Sequence, residues 1–243
     1  MRLFGLIGYP LSHSFSENYF TDKFRKESIT DCRYRLFPIG HIDGLTALLT
    51  DNPELCGLNV TIPYKEQVLP FLHDADESVK QIRACNCIVI ENGQLKGYNT
   101  DATGFERSLQ EKLQPHHRQA LILGTGGAAK AIEFVLQKLG ISYTHVSRTP
   151  SAGQYSYEAL TPDQIAAHPL IINTTPLGMY PATEAAPPIP YESLTPAHYL
   201  FDLVYNPEKT LFLQKGEEQG AAIKNGHDML VIQAEESWRI WNS

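Results

Sequence analysis

The sequence predicts an α/β protein of two domains, the second built on a doubly wound parallel sheet. Three observations carry this. Apolar runs of strand length alternate with segments of helical spacing along the 243 residues. A glycine-rich turn, Gly124-Thr125-Gly126-Gly127, stands between an apolar run and a long helical stretch. The texture changes at the polar Gln114-Pro115-His116-His117-Arg118, and the length suits one large or two small domains at roughly 150 residues each.

The elements follow in order. Residues 3–8 form an apolar strand ended by Gly8-Tyr9-Pro10, and Phe15, Tyr19, Phe20 and Phe24 recur at helical spacing over 15–26. Residues 34–39 alternate as a strand. A short helix at 42–49 is stopped by Asp51-Asn52-Pro53, and a strand at 57–62 is ended by Pro63. A short helix is expected at 65–71. Strands at 85–91 and 95–98 flank Asn92-Gly93, a strong hairpin signal. In the second half, a strand at 120–123 enters the glycine turn and a helix at 128–139, closed by Gly140. Further strands are expected at 142–147, 170–173 and 200–204. Residues 180–196, rich in Pro and Ala, read as a loop, and 229–241 as a closing apolar helix.

The net charge of −7, with no basic run, argues against nucleic acid as a partner, because phosphate backbones are bound by clustered Lys and Arg. No apolar stretch approaches the roughly 18 residues that span a bilayer. The first residues lack a signal-peptide pattern, so a cytoplasmic location is expected. Cys32, Cys56, Cys85 and Cys87 read as reduced thiols, and no His or Cys spacing suggests a metal site.

Gly124, Gly126 and Ala129 fit the G-x-G-x-x-A pattern in its required setting of strand, turn and helix. Gly124 permits the tight turn and Gly126 close approach of a pyrophosphate. Ala129 lets helix and strand pack closely, and the helix N-terminus attracts the phosphates. The second domain is therefore Rossmann-type. The next strand ends at Ser147-Arg148-Thr149, where an NAD site would carry Asp or Glu. Arg148 can pair with a 2′-phosphate, and hydroxyls of Ser147 and Thr149 can donate to it, which favours NADP(H).

Asn59-Val60-Thr61-Ile62-Pro63-Tyr64-Lys65 is the most unusual stretch. Strand alternation puts Asn59 and Thr61 on one face, with Lys65 just beyond, at a strand end where ligands sit in open α/β sheets. Asn86, Asn99-Thr100-Asp101, the Ser12–Ser16 loop and the lone amide Gln233 add further polar groups. Each has a plain structural role available: Ser14 with Glu17 as a capping box, Asp101 as an N-cap, Asn59 and Asn86 as partners of buried backbone groups.

Taken in order along nearly the whole chain, these motifs resemble the shikimate dehydrogenase family. The Asn59–Lys65 run carries the resemblance most strongly. The stretches Gly8–Ser16, Asn173–Met179, Asp202–Pro207 and Met229–Gln233 support it. The resemblance implies reversible NADPH-dependent reduction of 3-dehydroshikimate to shikimate, in the route to chorismate and aromatic amino acids. It implies two α/β domains around a cleft. The substrate-binding domain would comprise 1–101 plus 225–243 and the NADP-binding domain 102–224. It implies Lys65 and Asp101 as the catalytic pair, Ser14 and Ser16 at the substrate carboxylate, Asn59, Thr61, Asn86 and Gln233 at ring hydroxyls, and Tyr205 lining the cleft. The cofactor set would be Gly124, Gly126, Gly127, Ala128, Ser147, Arg148, Thr149 and Thr174. A small-molecule substrate, no nucleic acid, no membrane, and a monomer or homodimer follow. The chain departs from the family pattern at Glu17 (usually Pro), Phe20-Thr21 (usually His-Asn), Cys87 (usually Thr) and Ser147 (usually Asn), and it is short for the family. The alternatives are a quinate/shikimate-type dehydrogenase with relaxed substrate or cofactor choice and a non-catalytic shikimate-binding regulator.

Overall fold

The computed structural model describes residues 1–11 and 14–243. Ser12 and His13, part of the Gly8–Ser16 resemblance, lie outside the described residues. The chain divides into two compact units, 1–100 with 233–243, and 101–232.

The first unit holds β1 (Arg2–Gly8), α1 (Phe15–Lys26), β2 (Cys32–Pro38), α2 (Gly44–Asp51), β3 (Leu55–Val60), β4 (Asp74–Ala75), α3 (Glu77–Ile82), β5 (Cys87–Glu91) and β6 (Gln94–Tyr98). The strands form one sheet in the order β2-β1-β3-β5-β6-β4. β1 pairs in parallel with β2 and β3, whereas β5 runs antiparallel to both β3 and β6, so the sheet is mixed. β1 is central and buried on both faces, which explains its near-continuous apolar run. Its side chains alternate between two cores. Leu3 and Ile7 join Leu45, Leu58 and Ile88, while Phe4 and Leu6 join Phe20, Phe24, Tyr34 and Trp241. The hairpin between β5 and β6 turns at Asn92 and Gly93, both at positive φ (51° and 75°), as the Asn-Gly pair requires.

The end of the chain belongs to this unit. The Trp241 ring stacks on Phe4 with centroids 4.8 Å apart, and its indole N–H donates to the Ile88 carbonyl at 2.9 Å. Gly57 lies against that indole, where a Cβ would have no room. Here the missing side chain permits a close approach rather than an unusual backbone angle.

The second unit holds α4 (Thr100–Gln110, from Asp101 on), β7 (Gln119–Leu123), α5 (Gly127–Lys138), β8 (Ser142–Ser147), β9 (Tyr155–Ser156), α6 (Pro162–Ala167), β10 (Leu170–Asn173), β11 (Tyr199–Asp202), α7 (Leu211–Glu218), β12 (Ala222–Lys224) and the start of α8 (His227–Trp241). Its sheet runs β12-β11-β10-β7-β8-β9, every pair parallel. In order along the unit this is 6-5-4-1-2-3, the order of a doubly wound dinucleotide-binding sheet, with the switch point between β7 and β10.

Four details differ from the sequence expectations. No α-helix forms at 65–71. Tyr64, Leu69 and Phe71 donate to the carbonyls three residues back, giving successive turns and one 3₁₀ turn at Leu69–Phe71. Pro70, which has no N–H, stands inside the segment and prevents an α-helical ladder. β3 ends at Val60, two residues short of the expected end, although the Thr61 N–H still donates to the Ile7 carbonyl of β1 (2.9 Å). Ser14 occupies the N-cap of α1 without a side-chain cap bond, so the capping box does not form. Asp101 lies within the first turn of α4 and is not its cap.

Candidate functional site

In the first unit, polar side chains converge at the end of β3. The Tyr34 hydroxyl donates to Asn59 Oδ1 (2.8 Å), and the Asn59 amide donates to the Asn86 carbonyl (3.3 Å) and to Ser237 Oγ (3.0 Å). Thr100 clamps the Asn86 carboxamide. The Thr100 N–H donates to Asn86 Oδ1 (2.6 Å), and Asn86 Nδ2 donates to Thr100 Oγ1 (3.0 Å). Thr100 Oγ1 also lies 3.2 Å from Ser237 Oγ and 3.5 Å from Gln233 Oε1. The network joins β3, the residue before β5, the start of α4 and the last turns of α8. Asn59, Asn86 and Gln233 are 5%, 3% and 9% exposed, so the three amides named from the sequence are brought together in one buried cluster. Both Asn59 N–H groups are spent within the protein, which leaves a lone pair on Oδ1 for a ligand hydroxyl. Tyr34 and Ser237 complete the cluster and carry no local sequence signal of their own.

Ser14 and Ser16 bracket the start of α1. Ser14 Oγ is buried with no hydrogen-bond partner among the described residues. Ser16 bonds to the Tyr34 hydroxyl, and burial pushes the Tyr34 phenol well above its usual range. Glu17 acts electrostatically on the same phenol. Burial likewise raises the Cys87 thiol, so Cys87 acts as a small apolar side chain and not as a nucleophile. Lys65 is half-buried in the turns after β3, and its carbonyl accepts from Cys85 N (2.8 Å). Asp101 is half-buried and follows Thr100 directly in the chain.

In the second unit, β7 delivers Gly124 into the glycine turn at φ +106°, a region that penalises any Cβ. A Cβ there would also meet Thr174 Oγ1 at 2.9 Å. Thr174 in turn bonds the Leu123 carbonyl through both N–H (3.0 Å) and Oγ1 (2.8 Å). Gly126 is the N-cap of α5 and supplies no side-chain cap. The first-turn N–H groups of Gly127 and Ala128 therefore have no acceptor within the helix. Open space surrounds Gly126 and Gly127. A cavity of about 560 Å³ lies against this turn, lined among others by Gly126, Ser147, Arg148, Tyr157, Thr174 and Thr175. Thr149 is exposed, and its N–H donates to Ser147 Oγ (3.3 Å). Donors at a helix start, a cationic end and an open glycine turn fit a phosphate-rich dinucleotide.

Two buried side chains brace the loops around that cavity. Asn173 Oδ1 accepts from the N–H (3.0 Å) and Oγ1 (2.7 Å) of Thr175. Asp202, fully buried, accepts from Asn173 Nδ2 (2.9 Å), Val204 N (3.0 Å) and Thr210 Oγ1 (2.6 Å). Burial raises its carboxyl to about 6 against those three bonds. Tyr205, three residues on, is exposed at 37% in the same unit.

His145 on β8 ties the glycine turn to α5, with Nδ1 2.9 Å from the Gly124 carbonyl and Nε2 3.2 Å from Glu133. The bond to Glu133 raises the imidazole above its usual value, against the effect of burial. A raised histidine stabilises the fold fully below about pH 6.5 and loses that contribution as pH rises through its folded value. The melting temperature of wild type relative to His145→Gln should therefore fall from about pH 5.5 to about pH 8.5. A constant difference between the two proteins across that range would refute the assignment.

Among the described residues, no group of three or more His, Cys, Asp or Glu side chains is placed to hold a metal ion, and no helix is long and apolar enough to cross a membrane.

Comparison with known proteins finds relatives along nearly the whole chain. The family model for the shikimate dehydrogenase substrate binding domain matches residues 6–88. The shikimate dehydrogenase (NADP(+)) of Methanococcus maripaludis is 35% identical, covering 99% of this chain and 91% of that protein. That of Desulforamulus reducens is 32% identical over 98% of this chain and 88% of its own length. Shikimate 5-dehydrogenase of Thermus thermophilus, solved with NADP(H) and shikimate, superposes with a TM-score of 0.86 at 28% identity, covering 99% of this chain and 93% of that one.

Proposed function

We propose, from the premise that this chain belongs to the shikimate dehydrogenase family, that it catalyses the reversible NADPH-dependent reduction of 3-dehydroshikimate to shikimate. The observation that carries the reading is the relationship over nearly its full length to NADP-dependent shikimate dehydrogenases. The site chemistry supports it in both units.

NADP(H), when bound, supplies or takes up the hydride. The residues that hold it are Gly124, Gly126, Gly127 and Ala128 at the pyrophosphate, Ser147, Arg148 and Thr149 at the 2′-phosphate, and Thr174 beside the turn. Ser14 and Ser16 hold the substrate carboxylate, and the Ser14 hydroxyl, which has no partner among the described residues, is a donor suited to it. Asn59, Thr61, Asn86 and Gln233 orient the ring through its hydroxyls, and Tyr205 lines the substrate side. Lys65 carries the proton that enters or leaves the reacting oxygen and stabilises negative charge developing there. Asp101 holds the Lys65 ammonium in position. The substrate-binding part comprises 1–101 with 225–243 and the cofactor part 102–224. The reaction runs in the cytoplasm, where Cys32, Cys56, Cys85 and Cys87 stay free thiols.

The test is absorbance at the NADPH band with purified protein, NADP⁺ and shikimate. A rise is expected, larger than with quinate or with NAD⁺. No signal at shikimate well above about 1 mM, the upper end of usual Michaelis constants, overturns the reading.

A further inference from the structure

The Asn59 carboxamide is held from both edges by groups whose own chemistry fixes which way it faces. It stands one residue before the end of β3, where ligands sit in open α/β sheets. A main-chain carbonyl can only accept. The Asn86 carbonyl, which also accepts from Val60 N (2.9 Å), therefore dictates that Asn59 turns Nδ2 towards it. Turning the amide over would set Oδ1 against that carbonyl oxygen. Ser237 dictates the same. Its single proton goes back to the Gln233 carbonyl one helical turn earlier (2.9 Å), so it offers a lone pair to Asn59 Nδ2 at 3.0 Å. On the other edge the Tyr34 hydroxyl donates to Oδ1 at 2.8 Å, from a ring stacked on Phe20 with centroids 4.6 Å apart. Asn59, Tyr34 and Ser237 are all buried.

Asn59 thus has no N–H left to give and one lone pair left to offer. We propose that Ser237 and Tyr34 are positioning residues that make Asn59 an acceptor only, so that it takes a ring hydroxyl which the reaction leaves untouched. The reacting oxygen is a hydroxyl in shikimate and a carbonyl in 3-dehydroshikimate. A carbonyl brings no proton, and against Asn59 Oδ1 it would set two acceptors face to face. A hydroxyl outside the reaction presents the same proton to Asn59 in both directions. The inference rests on the reading of Asn59 as a substrate contact and adds to it the two residues that set its polarity. Both act through Asn59.

The test is steady-state kinetics of the full chain in both directions, shikimate with NADP⁺ and 3-dehydroshikimate with NADPH, for wild type and Ser237→Ala. The variant frees one Asn59 N–H and leaves the amide held on that edge by the longer 3.3 Å bond alone. One lost hydrogen bond predicts both substrate KM values raised about fivefold. kcat should stay within about twofold in each direction, the signature of a contact equally strong in ground and transition states. A merely structural serine would lower the melting temperature and leave KM unchanged in the folded protein, which overturns the inference. So does a KM change confined to shikimate with kcat altered in the reducing direction, because that places Asn59 at the reacting oxygen. In an active wild type either result leaves the functional reading standing. A wild-type protein without turnover in either direction overturns both. Should Ser237→Ala fold poorly, Tyr34→Phe is the second variant. It keeps the stack on Phe20 and unties the other edge of the amide, so the same pattern is expected, and an unchanged KM there also overturns the inference.

Discussion

Replacing Lys65 with alanine is expected to lower turnover by about 10²–10⁴-fold, the range that a positioned acid/base contributes, while shikimate affinity should change by a few-fold at most. The split follows from the division of labour proposed for the first unit. In that proposal shikimate presents a carboxylate and ring hydroxyls to Ser14, Ser16 and the amide cluster of Asn59, Asn86 and Gln233. None of these contacts depends on the Lys65 ammonium. The cluster is buried and cross-bonded, so removing a half-buried side chain in the turns after β3 leaves it in place. Steady-state kinetics together with direct titration of shikimate reads both quantities. A Lys65→Ala protein with near-normal turnover removes Lys65 from the acid/base role. One that loses binding and turnover equally makes it a binding residue instead.

Asp202→Ala is expected to destabilise the protein by about 3 kcal/mol, as urea midpoints would show. It strands three groups inside the second unit, namely Asn173 Nδ2, the Val204 N–H and the Thr210 hydroxyl, and unsatisfied buried groups cost about 1–3 kcal/mol each. Loss of the buried charge returns part of that sum, because burial already holds the carboxyl up at about 6. The sign with pH is determined. A carboxyl raised in the folded state binds its proton more tightly than the unfolded chain does. Wild-type stability therefore falls as pH rises from about 4 to about 6, and the cost persists above that. Asp202→Asn keeps the shape and abolishes this slope. The alanine variant should also weaken NADP⁺ binding, because Asn173 loses its anchor and Asn173 holds Thr175 at the cavity. An alanine variant as stable as wild type would remove Asp202 from this bracing role.

What was legible in the sequence was local. The Asn92-Gly93 hairpin and the glycine turn announce themselves through backbone requirements at single positions, and both appear where expected. Asn59 and Asn86 stood out because polar amides are costly in apolar strand contexts unless paired. Their pairing was not legible. Ser237, which accepts from Asn59, lies 178 positions away, and no periodicity links the two. α4 had a usable signal in Ala102, Phe105 and Leu109, all buried on one face, but Gly104 and the polar residues 106–108 diluted it. The helix expected at 65–71 shows the opposite error. Val68, Leu69 and Phe71 look helical in spacing, yet Pro70 denies the ladder and burial of Val68 is achieved by turns. Asp202 gained meaning only from the three donors that surround it.

The placement of Trp241 sets a timetable for synthesis. A ribosome releases the chain from its N-terminus, and the indole that caps the Ile88 carbonyl emerges 153 positions after it. At about 5–20 residues per second, this interval lasts about 8–30 s. Throughout it, Phe4, Phe20 and Tyr34 lack the ring that covers them, and every residue of 101–232 is made before that ring. The first-made unit is thus the last to be finished. Its uncovered aromatic surface is what a chaperone would meet on the nascent chain.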